Sequence, residues 1–273
     1  MSALSNSTSS TADRYATSMI AHQLPTERQR LHLLGQMLDP DTFRILEQRG
    51  IQPSWACLEL GAGTGSIARW LAGYCPHGHV VATDSDTCFL SELSAPNLQV
   101  LRHDVVTEDF PAGSFDLIHA RWLLANLPER EEVLAKAVTW LVPGGWLVIE
   151  DPDRTPLDAS PHPILRRFGD AVEQLVAESH GADLRWARRR LPAALAEVGL
   201  VELGISVSVK TVGDGGADDA AYRMTMAQAR PGLVDRGLLS EAEYEAGMAL
   251  LDEPAVIDAP FANIIAWGRR PPR

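Results

Sequence analysis

A cluster of glycines between an apolar run and a helical segment constrains this chain more than any other part of its sequence. Trp55–Leu60 is a short apolar run, Gly61, Gly63 and Gly65 follow it, and helical character resumes over Ser66–Leu71. Glycine lets the backbone take unusual dihedral angles and approach a ligand, and the first amides of the next helix can bind an anion. The pattern predicts a strand, a ligand-binding turn and a helix, although a tight turn without a ligand stays open at this point.

Apolar runs and helical segments alternate along the chain, which predicts an α/β fold with a doubly wound, mostly parallel sheet. Parallel neighbours need crossover connections, and helices on both faces supply them. The predicted strands are Trp55–Leu60, Val80–Thr83, Leu98–Leu101, Phe115–His119, Trp146–Ile149, Val201–Thr211 and Phe261–Trp267. The predicted helices are Tyr15–Leu38, Pro40–Arg49, Ser66–Leu71, Arg130–Trp140, Ile164–Ser179, Leu191–Val198, Ala220–Gln228 and Glu241–Leu251.

Charge and composition narrow the class of partner. The formal net charge of -12 argues against nucleic acid, because binding to a polyanion depends on Lys and Arg neutralising phosphates. No run approaches the roughly 18 apolar residues of a membrane span, and the Ser- and Thr-rich start does not resemble a secretory signal. Cys57, Cys75 and Cys88 lack the spacing of a zinc site. We therefore expect a cytoplasmic protein that binds a small molecule and could form a homodimer.

A carboxylate closes the second predicted strand and extends the candidate site. Asp84 follows the apolar run Val80–Thr83, where it could accept both hydroxyl hydrogens of a ribose. A dinucleotide fingerprint would need its third glycine at the position of Ser66, so the loop departs from that pattern. A nicotinamide enzyme is accordingly a distant alternative.

Five segments, taken in order, carry a more specific resemblance. They are Cys57–Gly65, Val81–Asp84, His103–Val105, Phe115–Arg121 and Leu141–Glu150. Together they resemble the class I S-adenosylmethionine-dependent methyltransferases, and within them the bacterial small-molecule, natural-product branch. The resemblance implies the Rossmann-like methyltransferase fold, with seven strands of which the last is antiparallel. It implies three parts: an N-terminal helical lid (1–50), a cofactor-binding core (51–155), and substrate-side helices, including an inserted helical lid, with the last two strands (156–273).

The same resemblance implies the cofactor, S-adenosyl-L-methionine, and a set of residues that bind it. Glu59 and the glycine loop would hold the methionine part, Asp84 the ribose, and Asp104 with the Val105 amide the adenine; a turn-capping role is the alternative for Asp104. Tyr15 would close over the cofactor as part of the lid, unless it only packs on the surface. The full predicted set is Glu59, Gly61, Ala62, Gly63, Gly65, Asp84, Ser85, Asp104, Val105, Ala120, Arg121 and Tyr15.

The implied reaction is methyl transfer to oxygen, nitrogen or carbon of a small hydrophobic or aromatic metabolite, in secondary metabolism. His119, at the end of the fourth strand, is the candidate general base, since a reference pKa of about 6.5 keeps it largely neutral near pH 7. A histidine here could instead orient a loop or contact the cofactor. The apolar face of Ile164–Val176 could roof the acceptor.

Other readings stay open from the sequence. The fold could serve a cyclase or rearrangement enzyme that uses the sulfonium as a fixed charge, or a module that binds the cofactor without catalysis. Glu150-Asp151-Pro152-Asp153 and His162 could in principle hold a metal ion, although we expect none. The acceptor itself has no sequence signature.

Overall fold

A seven-stranded sheet forms the centre of the computed structural model, which describes residues 18–272. The strands are β1 (Ala56–Leu60), β2 (His79–Asp84), β3 (Leu98–Arg102), β4 (Phe115–Arg121), β5 (Leu141–Asp153), β6 (Val201–Val212) and β7 (Asp258–Arg269). Their order across the sheet is β3-β2-β1-β4-β5-β7-β6. β7 is antiparallel to both of its neighbours, whereas the other pairs are parallel. The predicted doubly wound, mostly parallel seven-stranded sheet is confirmed.

Eight α-helices flank the sheet within the described residues. They are α1 (Glu27–Glu47), α2 (Ser66–Tyr74), α3 (Arg130–Trp140), α4 (Pro163–His180), α5 (Trp186–Arg189), α6 (Leu191–Glu197), α7 (Ala217–Asp235) and α8 (Glu241–Leu250). Short 3-10 turns lie at Cys88–Leu90, Leu124–Asn126 and Thr155–Ala159. None of the described helices is long and apolar enough to cross a bilayer.

Successive residues of the central strands feed two separate cores, because side chains alternate between the faces of a strand. Leu58 of β1 packs on one face with Trp140 of α3, and Cys57 packs on the other face with Leu71 of α2. All four side chains are almost completely buried. Because both faces of these strands are buried, the sequences of the parallel strands are nearly continuous apolar runs.

The helices that follow β5 form a third apolar cluster of their own. α4, α7 and α8 meet around Phe168, Leu233 and Tyr244, and the rings of Phe168 and Tyr244 lie 5.5 Å apart. Gly247 lets α8 approach closely, since a Cβ atom there would come within 2.3 Å of the Phe168 ring. This cluster holds α4 and α7 beside the sheet. The division of the chain into three parts remains a prediction.

The N-terminal helix corrects one sequence prediction. α1 runs without interruption through Pro40, where we expected two helices. Proline removes one backbone donor, which costs little here because the carbonyl left without its partner belongs to Gln36, on the exposed side of the helix. Leu38 and Ile45, buried on either side of the proline, fix both halves against the rest of the fold.

β5 is also longer than expected. It begins at Leu141, runs through the predicted turn at 143–145 and continues to Asp153. Gly144 takes a left-handed conformation with φ of 85°, and its amide bonds to the carbonyl of Arg270 beyond β7. The segment Glu150 to Asp153, expected after the strand, therefore lies inside it and is paired with β7.

Candidate functional site

A cavity of about 320 Å³ lies beyond the carboxyl ends of β1, β2 and β4. What we call its glycine-loop end is lined by Gly61, Gly63, Thr83, Asp84, Ser85, His103 and Val105. What we call its helical end is lined by Trp122, Leu157, Val172, Val176, Tyr222, Met226 and Phe261. The position matches the place where open α/β sheets bind their ligands.

The glycine loop is shaped by left-handed backbone and tied to β2. Gly61 and Gly63 have φ of 65° and 55°, a region that other residues rarely adopt. The Gly63 amide donates to Oδ2 of Asp84 at 3.0 Å, and the Ala62 amide donates to the carbonyl of Thr83 at 2.8 Å. Burial raises the pKa of Asp84, although His22 and the Gly63 amide act in the opposite direction. The Asp84 carboxylate is therefore held in place next to the glycine backbone, which carries no side chains.

His119, the predicted general base, does not line the cavity. Its side chain has no exposed surface: Nδ1 lies 2.8 Å from Oε2 of Glu59, and Nε2 lies 3.7 Å from Oε2 of Glu150. Burial alone would lower the pKa of the imidazole, but the two carboxylates outweigh it and raise the pKa to about 9. An imidazolium near pH 7 has no free lone pair, so this geometry opposes a general base and favours a positioning role.

Glu59, a predicted cofactor ligand, lies behind the glycine loop as the partner of His119. It is buried and does not line the cavity. Glu150, the second partner, also accepts hydrogen bonds from Thr42 Oγ1 at 2.6 Å and Asn263 Nδ2 at 2.8 Å. Burial favours its neutral form, yet the interactions with His119 and with Arg121 prevail and hold the pKa of Glu150 below its ordinary value. Glu59, His119 and Glu150 thus form a buried triad under the site.

Arg121 does line the cavity and joins the N-terminal helix to the glycine loop. Its Nη1 donates to Oδ1 of Asp39 at 2.8 Å, and its Nη2 donates to Ser66 Oγ at 3.2 Å. Asp39 belongs to α1, and Ser66 is the first residue of α2. The arginine therefore holds α1 against the loop and the start of the next helix.

The next residue, Trp122, was not among the predicted site residues. Its φ of 52° is unusual for a residue with a side chain, and strain of this kind persists only where neighbouring contacts impose it. Its amide donates to the Glu150 carbonyl at 2.6 Å, and Nε1 donates to Oδ1 of Asn263 at 3.1 Å. The indole packs edge-on against Phe261, with centroids 5.5 Å apart. These contacts place the ring at the helical end.

The acidic segment at the end of β5 does not gather into one site. Side chains alternate along a strand, so Glu150 and Asp151 face opposite sides of the sheet. Glu150 belongs to the buried triad, Asp151 accepts from the Ala125 amide at 3.1 Å, and Asp153 accepts from Thr155 Oγ1 at 2.5 Å. Burial raises the pKa of Asp151 well above its ordinary value. The three carboxylates thus have separate structural roles.

The arginines that line the described part of the cavity all have carboxylate partners. Arg30 forms two hydrogen bonds with Glu27, at 2.7 and 2.8 Å. Arg121 is paired with Asp39 as described. Arg154 contacts Glu173 and also Asp170, the latter at 2.5 Å. No arginine of the described cavity wall is therefore left as an uncompensated positive charge.

The structure divides the predicted residues into groups. Those that line the cavity are Gly61, Gly63, Asp84, Ser85, Val105 and Arg121. Those that do not line it are Glu59, Ala62, Gly65, Asp104, His119 and Ala120. Asp104 caps its own turn, because its Oδ1 accepts from the Val106 amide at 3.0 Å. Tyr15 lies outside the described residues, whereas Met19 and His22, nearby in sequence, line the cavity.

Comparison with known proteins agrees with this geometry. The family model of a methyltransferase domain matches residues 58–149. Methyltransferase str3 of Strobilurus tenacellus is 29% identical over 161 residues, which cover 55% of this chain and 57% of that protein. The trans-aconitate 2-methyltransferase of Deinococcus radiodurans is 33% identical over 101 residues, 37% of this chain and 39% of its own length. The chain thus spans less than two thirds of either relative.

A solved structure extends the likeness over nearly the whole fold. Phosphoethanolamine N-methyltransferase 2 of Haemonchus contortus, in complex with S-adenosylhomocysteine, aligns with a TM-score of 0.60 at 12% identity. The alignment covers 96% of this chain and 60% of that one. The strand order and the glycine turn match the α/β fold of that methyltransferase. Residues 58–149 of this chain therefore match a methyltransferase domain, and the chain is similar to S-adenosylmethionine-dependent methyltransferases over that part.

The cofactor of this family is S-adenosyl-L-methionine, and the glycine-loop end fits it. Cβ atoms built on Gly61 and Gly63 would meet only the side chains of Leu123, at 3.2 Å, and Leu31, at 3.7 Å. The bare backbone therefore forms a cradle that larger residues would fill. The Asp84 carboxylate, at the end of β2, is suited to ribose hydroxyls. Contact between individual predicted residues and the cofactor remains a prediction.

Proposed function

We propose that this protein transfers the methyl group of S-adenosylmethionine to a small, uncharged, largely apolar acceptor. The two ends of the cavity are continuous, so a cofactor at the glycine loop would face the helical end. The cofactor supplies an activated methyl group on a positively charged sulfur. The remaining tasks of the protein are to hold, align and desolvate the reacting groups.

The apolar walls and paired arginines of the cavity are the reason for proposing an uncharged acceptor. Its walls are mostly apolar, and the three arginines of the described cavity lining are already paired with carboxylates. An anionic acceptor would have to displace one of these partners; at Arg30 this would leave Glu27, which is 1% exposed, without its counterion, which costs several kcal/mol. A neutral acceptor meets no such cost. This argues against a polycarboxylate or a phosphate ester as the substrate.

Within this proposal, each group of described residues has a defined task. The Gly61–Gly63 backbone and Asp84 hold the cofactor, and the Arg121–Asp39 pair fixes α1 over it. Trp122 and Phe261 align the flat face of an apolar acceptor, while α4 and α7 exclude water. His119 stays protonated and positions Glu59 rather than accepting a proton from the acceptor.

Two measurements test the proposal. Calorimetric titration of the full chain with S-adenosylhomocysteine should show a saturable site, because the family and the glycine loop both imply one. A radiolabelled methyl-transfer screen should then favour neutral aromatic or isoprenoid acceptors over their carboxylated and phosphorylated analogues by at least about tenfold, corresponding to about 1.4 kcal/mol.

The outcomes separate the alternatives that the sequence left open. Preference for anionic acceptors contradicts an uncharged substrate. Binding of the cofactor with conversion of a substrate, but without formation of S-adenosylhomocysteine, points instead to a cyclisation or rearrangement. Cofactor binding without any conversion across a broad screen supports a binding module. We also propose that the acceptor is a secondary metabolite, which these two measurements do not address.

A further inference from the structure

β6 forms one edge of the sheet and carries a row of exposed apolar side chains on one face. The row consists of Leu203, Ile205, Val207 and Val209, each between 43% and 55% exposed. Long apolar edge strands are uncommon because their unpaired amides and carbonyls are a template for pairing with another chain. Lys210, the charge best placed to prevent this, is buried and lies 3.3 Å from Asp41.

The opposite edge of the sheet shows the contrast. β3 has five residues, against twelve in β6, and ends in Arg102. None of its side chains is among the large apolar groups exposed in the described structure. The sheet therefore has one short edge ending in a charge and one long, apolar edge.

We propose that β6 pairs antiparallel with β6 of a second copy of this chain, about a two-fold axis at Val207. The segment Gly204–Lys210 keeps a regular register with β7, and irregularities lie only beyond its ends. When Val207 of one copy lies opposite Val207 of the other, Ile205 lies opposite Val209 of the second copy, and Ser206 lies opposite Ser208. Apolar side chains meet on one face and hydroxyls on the other, so the segment is self-complementary, as an isologous interface requires.

The charges next to β6 favour the same arrangement. Arg44 and Asp41 of α1 form an ion pair, 3.4 Å apart, beside β6; Arg44 Nη2 also lies 3.5 Å from Ser206 Oγ, and Asp41 lies beside Lys210. Since Ser206 is opposite Ser208 of the second copy, the Arg44–Asp41 pair of each copy approaches that of the other in antiparallel orientation. Attractive pairs of this kind offset the general repulsion between two chains of net charge -12.

The size of the apolar row indicates a dimer of moderate affinity. Four half-exposed side chains offer on the order of 300 Å² per copy, less than half of the ~800 Å² that each partner contributes to a standard interface. The backbone hydrogen bonds of the new strand pair and the flank of α1 add to it. We expect a dissociation constant in the micromolar range.

Sedimentation equilibrium of the full chain tests the association. The wild-type protein should dimerise, and V207K should weaken the dimer by at least about tenfold, because the symmetry places two lysines directly opposite each other. V201K is the matched control, since it adds the same charge to another exposed valine of β6, outside the regular segment. Unfolding curves establish that both variants fold. The proposal is overturned if the wild type stays monomeric at about 100 µM, well above the expected micromolar dissociation constant. It is also overturned if both variants weaken the dimer equally.

Cysteine cross-linking tests the register. In a C88S background, V207C should form a disulfide-linked dimer, because directly opposite residues lie about 4.5–5.5 Å apart between Cα atoms, within disulfide range. V209C is equally exposed, yet its counterpart in the second copy lies four residues away along the strand, roughly 13 Å. Efficient cross-linking of V209C, or failure of V207C, contradicts pairing about Val207.

Discussion

At the glycine-loop end of the cavity, the contacts come from the ends of β1, β2 and β3 and the turns that follow them, among them the bare glycine backbone and the Asp84 carboxylate. At the helical end, the lining side chains come from α4, α7, β7 and the segments after β4 and β5. The first end is built from three short segments at the carboxyl ends of neighbouring strands, and the shape of its glycine turn depends on dihedral angles. The second is assembled by packing alone. A family can therefore keep one cofactor while its acceptors change.

The largest expected effect concerns the buried triad that supports the glycine-loop end. H119Q removes a positive charge between Glu59 and Glu150, leaving two buried carboxylates without their counterion. We expect the free energy of unfolding at pH 7 to fall by about 3 kcal/mol. Urea denaturation measures this, and H77Q, at an exposed histidine, should change stability by less than about 0.5 kcal/mol.

The same residue predicts a pH dependence with a definite sign. The folded-state pKa of His119, about 9, exceeds the value near 6.5 expected in the unfolded chain. The stabilisation from its proton is therefore fully present below about pH 6.5 and is lost as the pH rises through 9. Wild-type stability should decline over this interval, and the H119Q variant should lack that part of the decline. Parallel curves for the two proteins would contradict a buried imidazolium.

A smaller but selective effect should come from Asp84. D84N keeps the size of the side chain but removes the charge that would strengthen hydrogen bonds from ribose hydroxyls. We expect affinity for S-adenosylhomocysteine to fall by roughly 30- to 100-fold, measured by calorimetry. E92Q, at an exposed acid in the segment after β2, is the control and should leave the affinity within about twofold. Equal losses in both variants would remove Asp84 from the proposed cofactor site.

The helical end should respond in the opposite way. V172F fills part of that end from α4, so KM for the acceptor should rise about tenfold while cofactor affinity stays within about twofold. Q174A, on the exposed side of the same helix, should leave both quantities unchanged. A loss of cofactor affinity in V172F would show that the two ends are not separable.

The smallest expected effect is at Gly63. G63A places a Cβ on a residue with φ of 55° and directs it across the cleft towards Leu31. Strain of about 1 kcal/mol and a narrower cradle should weaken cofactor binding about fivefold. G73A, in α2 with open space around its Cα, should bind normally and gain up to about 1 kcal/mol in stability. Unchanged binding in G63A would mean that the cofactor does not approach this glycine.

The sequence alone determined the sheet, the glycine turn, the family resemblance and the positions of Gly61, Gly63 and Asp84. These features are local: a strand, the turn after it and the acid that closes the next strand are encoded by periodicity and by glycine. The continuity of α1 through Pro40 was missed because only the tertiary structure shows that the freed carbonyl faces outwards.

Tertiary structure decided what the chain pattern could not specify. It buried His119 between two carboxylates from different strands and thereby reversed its expected protonation state. It brought Trp122, Val172, Tyr222 and Phe261 together from distant segments, and it left the apolar side of β6 uncovered. The physical reason is that charge state and pocket shape depend on neighbours in space, whereas dihedral preference and strand periodicity depend on neighbours along the chain.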